Sequence, residues 1–436
     1  YDLINEVNWS FPEGNNSQLK NLYLQITNSI RAVDKNHIIF IEGNGFANDF
    51  SGLTPPWDPN MVYSFHKYWT YNHETSLDWV LALREQNNVP LWLGESGENS
   101  NTWFTNLISL CESKNIGWSW WPVKKTGNNN ILKVKDHSNY DRMIQTWDGN
   151  GSISADQAYQ AVMRFSENHR FENCEIKHDV IDAMIRQPHS NESVSFKDHR
   201  IGAPIFAVDY DLGKNNIAYF DQDTADYHLE TKSFTAWNKG WQYRSDGVDI
   251  EACADEELNN GYSVGWIESG EWLQYTVISE EQAAYKMIIR GASEDSWNMH
   301  VEVDGKVATK TITIPGSGGN DLWTSNEIND IILPKGTCKI RIAFESDGLN
   351  FNYFTLTDPL PVEDIPFQLL SAESHVTNND LFLHLNKVIT NQPGEIQILD
   401  FQLIVNNAIL QIDKIEIPTA NTQQIIITAA KDLFST

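Results

Sequence analysis

Two carboxylates stand at the ends of apolar runs: Glu6 in LINEVNW and Glu95 in WLGESG. Facing one another across a cleft, such a pair suits displacement at a glycosidic carbon. One carboxyl protonates the leaving oxygen while the other attacks, and retaining chemistry needs them about 5–5.5 Å apart. The acid of the pair must stay protonated near neutrality, which the negative charge of the other carboxylate close by would favour. Once the nucleophile carries the sugar that repulsion is gone, and the acid can take a proton from water. His66 and Tyr68, in VYSFHKYW, end a third apolar run. A satisfied core histidine is the competing reading of His66, and core packing that of Trp121 in GWSWWPVKK. Three further acids, Glu42, Glu98 and Glu112, read as surface or salt-bridged groups.

Positioning these residues falls to short strands that alternate with amphipathic helices. Tyr1–Ile4, HIIFIEG, MVYSF, VPLWLG and IGWSWW are five strand-like runs. Helical spacing of Leu19, Leu22, Tyr23, Ile26, Ile30 and Val33, then of Leu77, Val80 and Leu81, then of Trp103, Leu107, Leu110 and Cys111, fills the gaps. Alternation of this kind predicts parallel β/α units. Each run ends at a polar or aromatic cluster, and in a β/α barrel the carboxyl ends of the strands hold the active site. A last helix is expected from about Ala155 to Phe165, and HSNESVSFKDH reads as a linker. From about residue 199 short alternating strands with Gly, Asn and Asp turns predict a β-sandwich. The Pro-rich TDPLPVEDIP marks a second hinge, and LFLHLNKVI, IQILDFQLIVNN, IDKIEIP and QQIIITAA suggest a small immunoglobulin-like sandwich. At about 75 residues that last segment falls short of the ~100 usual for such a domain, so a C-terminal cut is expected.

Composition narrows the partners. The 436 residues carry 31 Lys plus Arg against 59 Asp plus Glu, a formal charge of -28, which repels phosphate backbones and anionic membranes. No apolar run approaches the ~18 residues of a membrane span. The 16 Trp, 15 Tyr and 19 Phe include many Trp beside Asn, Asp and Gly, flat faces that could stack on sugar rings as well as build cores. Trp9, Trp57 and Trp69, with Trp103, could line sugar subsites, with core or surface packing the better reading of each. Cys111, Cys174, Cys253 and Cys338 show no metal-binding spacing; one bridge per domain and buried free thiols both fit.

In order, LINEVNW, VYSFHKYW, WLGESG and GWSWWPVKK resemble the fourth, sixth, seventh and eighth strand ends of glycoside hydrolase family 5. The resemblance covers residues 1–125 well and the tail to about 190 loosely. It implies Glu6 as acid/base, Glu95 as nucleophile, Asn5 on the sugar 2-hydroxyl, and His66 and Tyr68 as the pair beside the nucleophile. Trp121 matches the tryptophan that stacks under the cleaved sugar, with Trp120 an adjacent contender. The family's NEP reads NEV here, with Val7 replacing proline. Three upstream strands would be missing, so the chain is expected to be a C-terminal fragment with weak or no activity alone.

Residues 205–356, with YRSDGVDIE, VGWI, GEWLQYTV and GLNFNYFTL, resemble carbohydrate-binding module family 6. That likeness implies glycan binding with Tyr243 as one aromatic and Asn350 as the hydroxyl-binding asparagine. The partner aromatic falls where Asn320 stands, and Trp297 on another loop is the substitute; Trp323 reads as structural. Many such modules hold a structural calcium near an acidic residue, where this chain has Val208; main-chain carbonyls and other acids could still supply the oxygens.

The expectation is a multidomain chain: a partial (β/α)8 TIM barrel (strands four to eight) over 1–190, a jelly-roll β-sandwich over 199–357, and a small immunoglobulin-like β-sandwich over 366–436. Its expected function is retaining hydrolysis of a cellulose-like β-glucan, with a non-catalytic carbohydrate-binding protein as the alternative. No catalytic cofactor or metal is expected, nor a nucleic acid or membrane partner. A monomer in an extracellular, cell-surface or periplasmic setting fits these readings.

Overall fold

The computed structural model describes residues 1–436 apart from 13, 136–137, 229–232, 235–238, 240–241, 363–367, 375–379, 390–402, 406–407, 411, 419–421 and 430–436. By packing, the chain forms two compact units. The first is Tyr1–Glu192 with Gly213–Asn215 and Asp223–Val248; the second is Ser193–Leu212, Asn216–Gln222 and Asp249–Thr436.

Four parallel strands pair in chain order at the centre of the first unit: β1 (Ile39–Glu42), β2 (Met61–Lys67), β3 (Leu91–Ser96) and β4 (Gly117–Trp118). All seven residues of β2 are buried, as expected of a parallel strand covered on both faces. The helix Asn101–Ser113, between β3 and β4, buries Trp103, Phe104, Leu107 and Ile108 in the same core as Leu93 and Tyr63. Its start is fixed by Ser100, whose hydroxyl accepts the Trp103 amide at 3.2 Å. The helices Ser17–Val33 and Asp78–Asn87 contribute Leu19, Tyr23 and Val80.

The expected first strand differs. Residues 1–3 run beside β1 through a single parallel bridge, Asp2 to Phe40, with Phe40 N–H bonding the Tyr1 carbonyl at 2.7 Å. The run stops because Glu6 turns into the left-handed region (φ 47) and sends its amide to a side chain instead of a ladder. Farther on, a three-stranded sheet (Lys124–Lys125, Leu132–Val134, Cys174–Ile176) and the helix Ser138–Trp147 lie where no elements were expected. Residues 223–248 also belong to this unit: Ser245 donates its amide to the buried Asp179 carboxylate at 3.2 Å and its carbonyl accepts the Asn101 amide at 2.7 Å.

The second unit includes two mainly antiparallel sheets. One orders Tyr219–Phe220, Trp272–Ser279, Gly336–Phe344, Trp297–Val303 and Lys306–Val307; the other orders Ile250–Ala252, Tyr262–Val264, Asn350–Leu360, Ala283–Ser293 and Gly319–Leu333. Alternation along these strands buries Tyr275, Phe344, Phe351 and Phe354 between them. The expected linker is partly built in, since Val194 pairs with Leu212 and Ser193 accepts from Gln274 at 2.7 Å. A four-stranded antiparallel sheet (Leu369–Ser374, Asp380–Ile389, Thr422–Ala429, Ile412–Glu416) and the ladder Leu403–Val405 with Ala408–Leu410 follow. Most of IQILDFQLIVNN, and part of TDPLPVEDIP, lie outside the described residues. All four cysteines are free thiols. Among the described residues, no helix is long and apolar enough to cross a membrane.

Candidate active site

Parallel pairing brings the strand ends into one plane, and the chemistry-bearing residues follow from the register. An irregularity between Phe65 and His66 in the β2–β3 ladder sets His66 opposite Glu95. Gly94, within β3, is needed for that approach because a Cβ there would overlap the Ser64 hydroxyl. Gly97, at φ 143, lets the backbone after β3 pass against the Trp121 carbonyl, and this bridge presents Trp121 beside Glu95.

The resulting cleft, about 430 Å³, is lined by Glu6, Phe46, His66, Tyr68, Glu95 and Trp121, with Asn48, Trp69 and Glu98 completing its wall. His66 Nδ1 lies 2.8 Å from Glu6 Oε1 and 3.6 Å from Glu95 Oε2. The Tyr68 hydroxyl donates to Glu95 Oε2 at 3.0 Å. One oxygen each of Glu6 and Glu95, with a His66 nitrogen, lie within 4.8 Å of one another. Burial first, then the charge and hydrogen bond of Glu95, push the Tyr68 phenol far above its ordinary value, so it remains a donor. Burial alone would lower His66. The hydrogen bonds to Glu42 and Glu6, with the charges of Glu42 and Glu95, outweigh it and raise the ring above the ordinary histidine value.

Three donor atoms this close could span a metal ion, but hydrogen bonding already accounts for them. The two ring nitrogens face Glu6 and Glu42, and Tyr68 bonds Glu95. Four non-glycine residues with positive φ line this one cleft: Glu6 (47), Phe46 (57), Trp69 (44) and Glu98 (50). Such conformations cost roughly 1–3 kcal/mol each and gather where geometry is under functional constraint.

Some expected residues sit elsewhere. Asn5 is exposed next to Glu6 and does not line the cleft. Trp120 packs its ring on Phe104, Trp118 and Trp103 in the core, while its neighbour Trp121 is 53% exposed at the cleft. Trp103 is core, and Trp57 stacks on Tyr23. Trp69 lines the cleft, its indole donating to the Glu98 carbonyl at 2.9 Å, and Trp9 is exposed. Phe46 and Glu42 were not singled out as site residues by the sequence. Their signal was only that HIIFIEG ends on a polar residue, as the other strands do. Glu98 is ion-paired to Lys125, and Glu112 accepts the Trp118 indole at 3.0 Å.

In the first unit, Tyr243 has a positive φ of 59, and the Lys177 ammonium sits 5.7 Å over its ring and bonds its carbonyl. In the second unit, Asn350 donates to Glu251 Oε1 at 2.9 Å and to the Asn320 carbonyl at 3.0 Å. Burial, then the charge of Asp321, raises the Glu251 carboxyl, partly offset by Asn350. Trp297 is not on a loop. It begins a strand whose inward positions are Trp297, Met299 and Val301, and at 3% exposure it is core. At the expected calcium position Val208 is fully buried, and Asp209 is ion-paired to Lys197 at 2.9 Å.

Set beside known proteins, residues 1–127 match the family model of cellulase (glycosyl hydrolase family 5). Residues 241–358 match that of carbohydrate binding module (family 6). The chain is therefore multidomain, with a cellulase-like N-terminal part and a sandwich similar to family 6 carbohydrate-binding modules. Similar solved structures include a family 6 module from Clostridium stercorarium in complex with cellobiose, 16% identical, covering 37% of this chain and 98% of that one with a TM-score of 0.27. Another is a module from Cellvibrio mixtus lichenase 5A in complex with cellotriose, 28% identical over 26% of this chain and 87% of that one, TM-score 0.24. A third is a β-1,3-glucan binding module from Bacillus halodurans, 20% identical over 37% of this chain and all (100%) of that one, TM-score 0.26.

Proposed function

We propose that the first unit carries the catalytic site of a retaining glycoside hydrolase acting on a cellulose-like β-glucan, its parallel strands being consecutive units of a (β/α)8 barrel. One observation supports this above the rest: Glu6, from the first loop, and Glu95, at the end of β3, bring oxygens within 4.8 Å of each other in an open cleft. That closeness suits double displacement, in which the two carboxyl groups stand about 5–5.5 Å apart. Glu95 attacks the anomeric carbon, held by the Tyr68 hydroxyl. Glu6 protonates the leaving oxygen and then deprotonates the incoming water. His66 links the two carboxyl groups, and Trp121 offers its exposed face as a stacking platform, worth about 0.5–1.5 kcal/mol beyond area burial if it behaves as aromatic pairs do. The chemistry needs no cofactor.

The sandwich holds glycan through Asn350 and Glu251 and keeps the enzyme on its polymer. The terminal β segment is an immunoglobulin-like spacer, and a monomer acting outside the cytoplasm suits a polymeric substrate. The polar cluster of Glu251, Asn320 and Asn350 also favours a second reading, a glycan-binding protein without catalysis. Proton NMR during hydrolysis of a soluble β-glucan decides between them. New reducing ends should appear first in the β configuration. Ends that appear first as α, or retention on glucan with no product, would contradict the catalytic reading.

A further inference from the structure

Glu42 closes β1 with its side chain 1% exposed, and both of its oxygens are committed toward the reacting pair. Oε2 accepts the Glu6 amide at 2.6 Å, and Oε1 faces His66 Nε2 at 3.2 Å. The other face of the His66 ring meets Glu6 Oε1. A closed circuit thus runs from the Glu6 backbone through Glu42 and His66 to the Glu6 carboxylate.

We propose that Glu42 is a positioning residue for the acid/base: it clamps the Glu6 backbone in its left-handed turn and turns the His66 ring so that Nδ1 aims the Glu6 carboxyl at the cleft. This rests on the reading of Glu6 as acid/base. Two features make the clamp necessary. A non-glycine residue at φ 47 is strained unless its surroundings over-determine it, and the Glu42 carboxylate is the acceptor that receives its amide. The Glu6 carboxyl is partly exposed, whereas His66 is held at 2% exposure between two carboxylates. A buried ring with an acceptor at each nitrogen is fixed in orientation and favoured as the imidazolium. The groups facing His66 are Glu6 from the first loop, Glu42 from β1 and Glu95 from β3, with Asp2 adding its charge from beside β1. Tyr23 reaches the same corner from its helix, its hydroxyl bonding the Glu42 carbonyl at 2.9 Å and so anchoring the main chain.

Glu42→Gln tests this with little change of volume. Its amide oxygen can still accept the Glu6 N–H, but the charge opposite Nε2 is lost. Loss of aim at Glu6 harms only substrates whose leaving group needs a proton. For a phenyl or alkyl β-cellobioside kcat/KM should fall about ten- to a hundredfold, whereas a dinitrophenyl β-cellobioside should change little. Glu42→Asp, which keeps the charge, should recover part of the loss. The His66 titration midpoint, followed by side-chain nitrogen NMR, should drop by about one pH unit in Glu42→Gln. An equal fall on both substrates, or none on either, with His66 unmoved, overturns the proposal. Glu95→Gln run in parallel separates the two ideas. If the parent hydrolyses and Glu95→Gln does not, the hydrolase reading stands and Glu42 is judged alone. If the parent and Glu95→Gln turn over alike, the reading fails and the role of Glu42 falls with it.

Discussion

Glu95→Gln is expected to abolish hydrolysis of a soluble β-glucan, lowering kcat by on the order of 10⁴-fold. The amide is nearly the size of the carboxylate and can still accept the Tyr68 hydroxyl, which now bonds Glu95 Oε2. It cannot form the glycosyl ester, because its nitrogen lone pair is delocalised and its oxygen carries no full charge. Binding should survive, since Trp121 and the sandwich are untouched, so KM should move far less than kcat. The melting temperature should also hold, because the Glu95 side chain is partly exposed and the nearby core of Leu93, Phe65 and Trp103 is intact. A variant within tenfold of the parent, measured by reducing-sugar release, would remove Glu95 from the nucleophile's role.

Glu6→Gln should show the second largest effect, and its pattern is more telling than its size. Without a proton donor, kcat/KM for a poor leaving group falls about 10²–10⁴-fold, while a dinitrophenyl glycoside, which leaves as a stable anion, is nearly spared. The second step then lacks its base, so the glycosyl-enzyme accumulates and kcat for the activated substrate falls. A small anionic nucleophile needs no base. Azide added to Glu6→Ala should therefore restore turnover and yield a β-glycosyl azide. Equal losses on both leaving groups, with no azide rescue, would move the acid/base role to another carboxyl in the cleft, Glu98 being the nearest candidate by placement.

Glu6, His66, Tyr68 and Glu95 were singled out in the sequence because each ends a short apolar run inside a motif that resembles a family 5 strand end. Parallel pairing then sends all such ends to one side of the sheet. The order and rough length of the β/α units were legible for the same reason, with hydrophobic spacing carrying the helices Ser17–Val33 and Asn101–Ser113. Glu42 also ends an apolar run but outside any such motif, and a strand covered on both faces has no inside–outside alternation to mark its carboxylate as buried instead of at the surface. Trp120 and Trp121 could not be told apart as neighbours. Only the bridge between Gly97 and Trp121 decides which ring meets the cleft. Trp297 was misplaced because ASEDSW reads as a polar loop, while the strand starts on the tryptophan itself and turns it inward. The sheet of Lys124–Lys125, Leu132–Val134 and Cys174–Ile176 has strands of two or three residues, too short for any period to show.

The central claim, a covalent sugar on Glu95 held beside an acid/base at Glu6, is tested most directly by trapping. A fluorosugar cellobioside with a dinitrophenyl leaving group forms the glycosyl-enzyme quickly and hydrolyses it slowly, so peptide mass spectrometry can locate the adduct. One sugar on the peptide containing Glu95, absent from Glu95→Gln, is the predicted result. An unlabelled protein, or a label on any other residue, would contradict it.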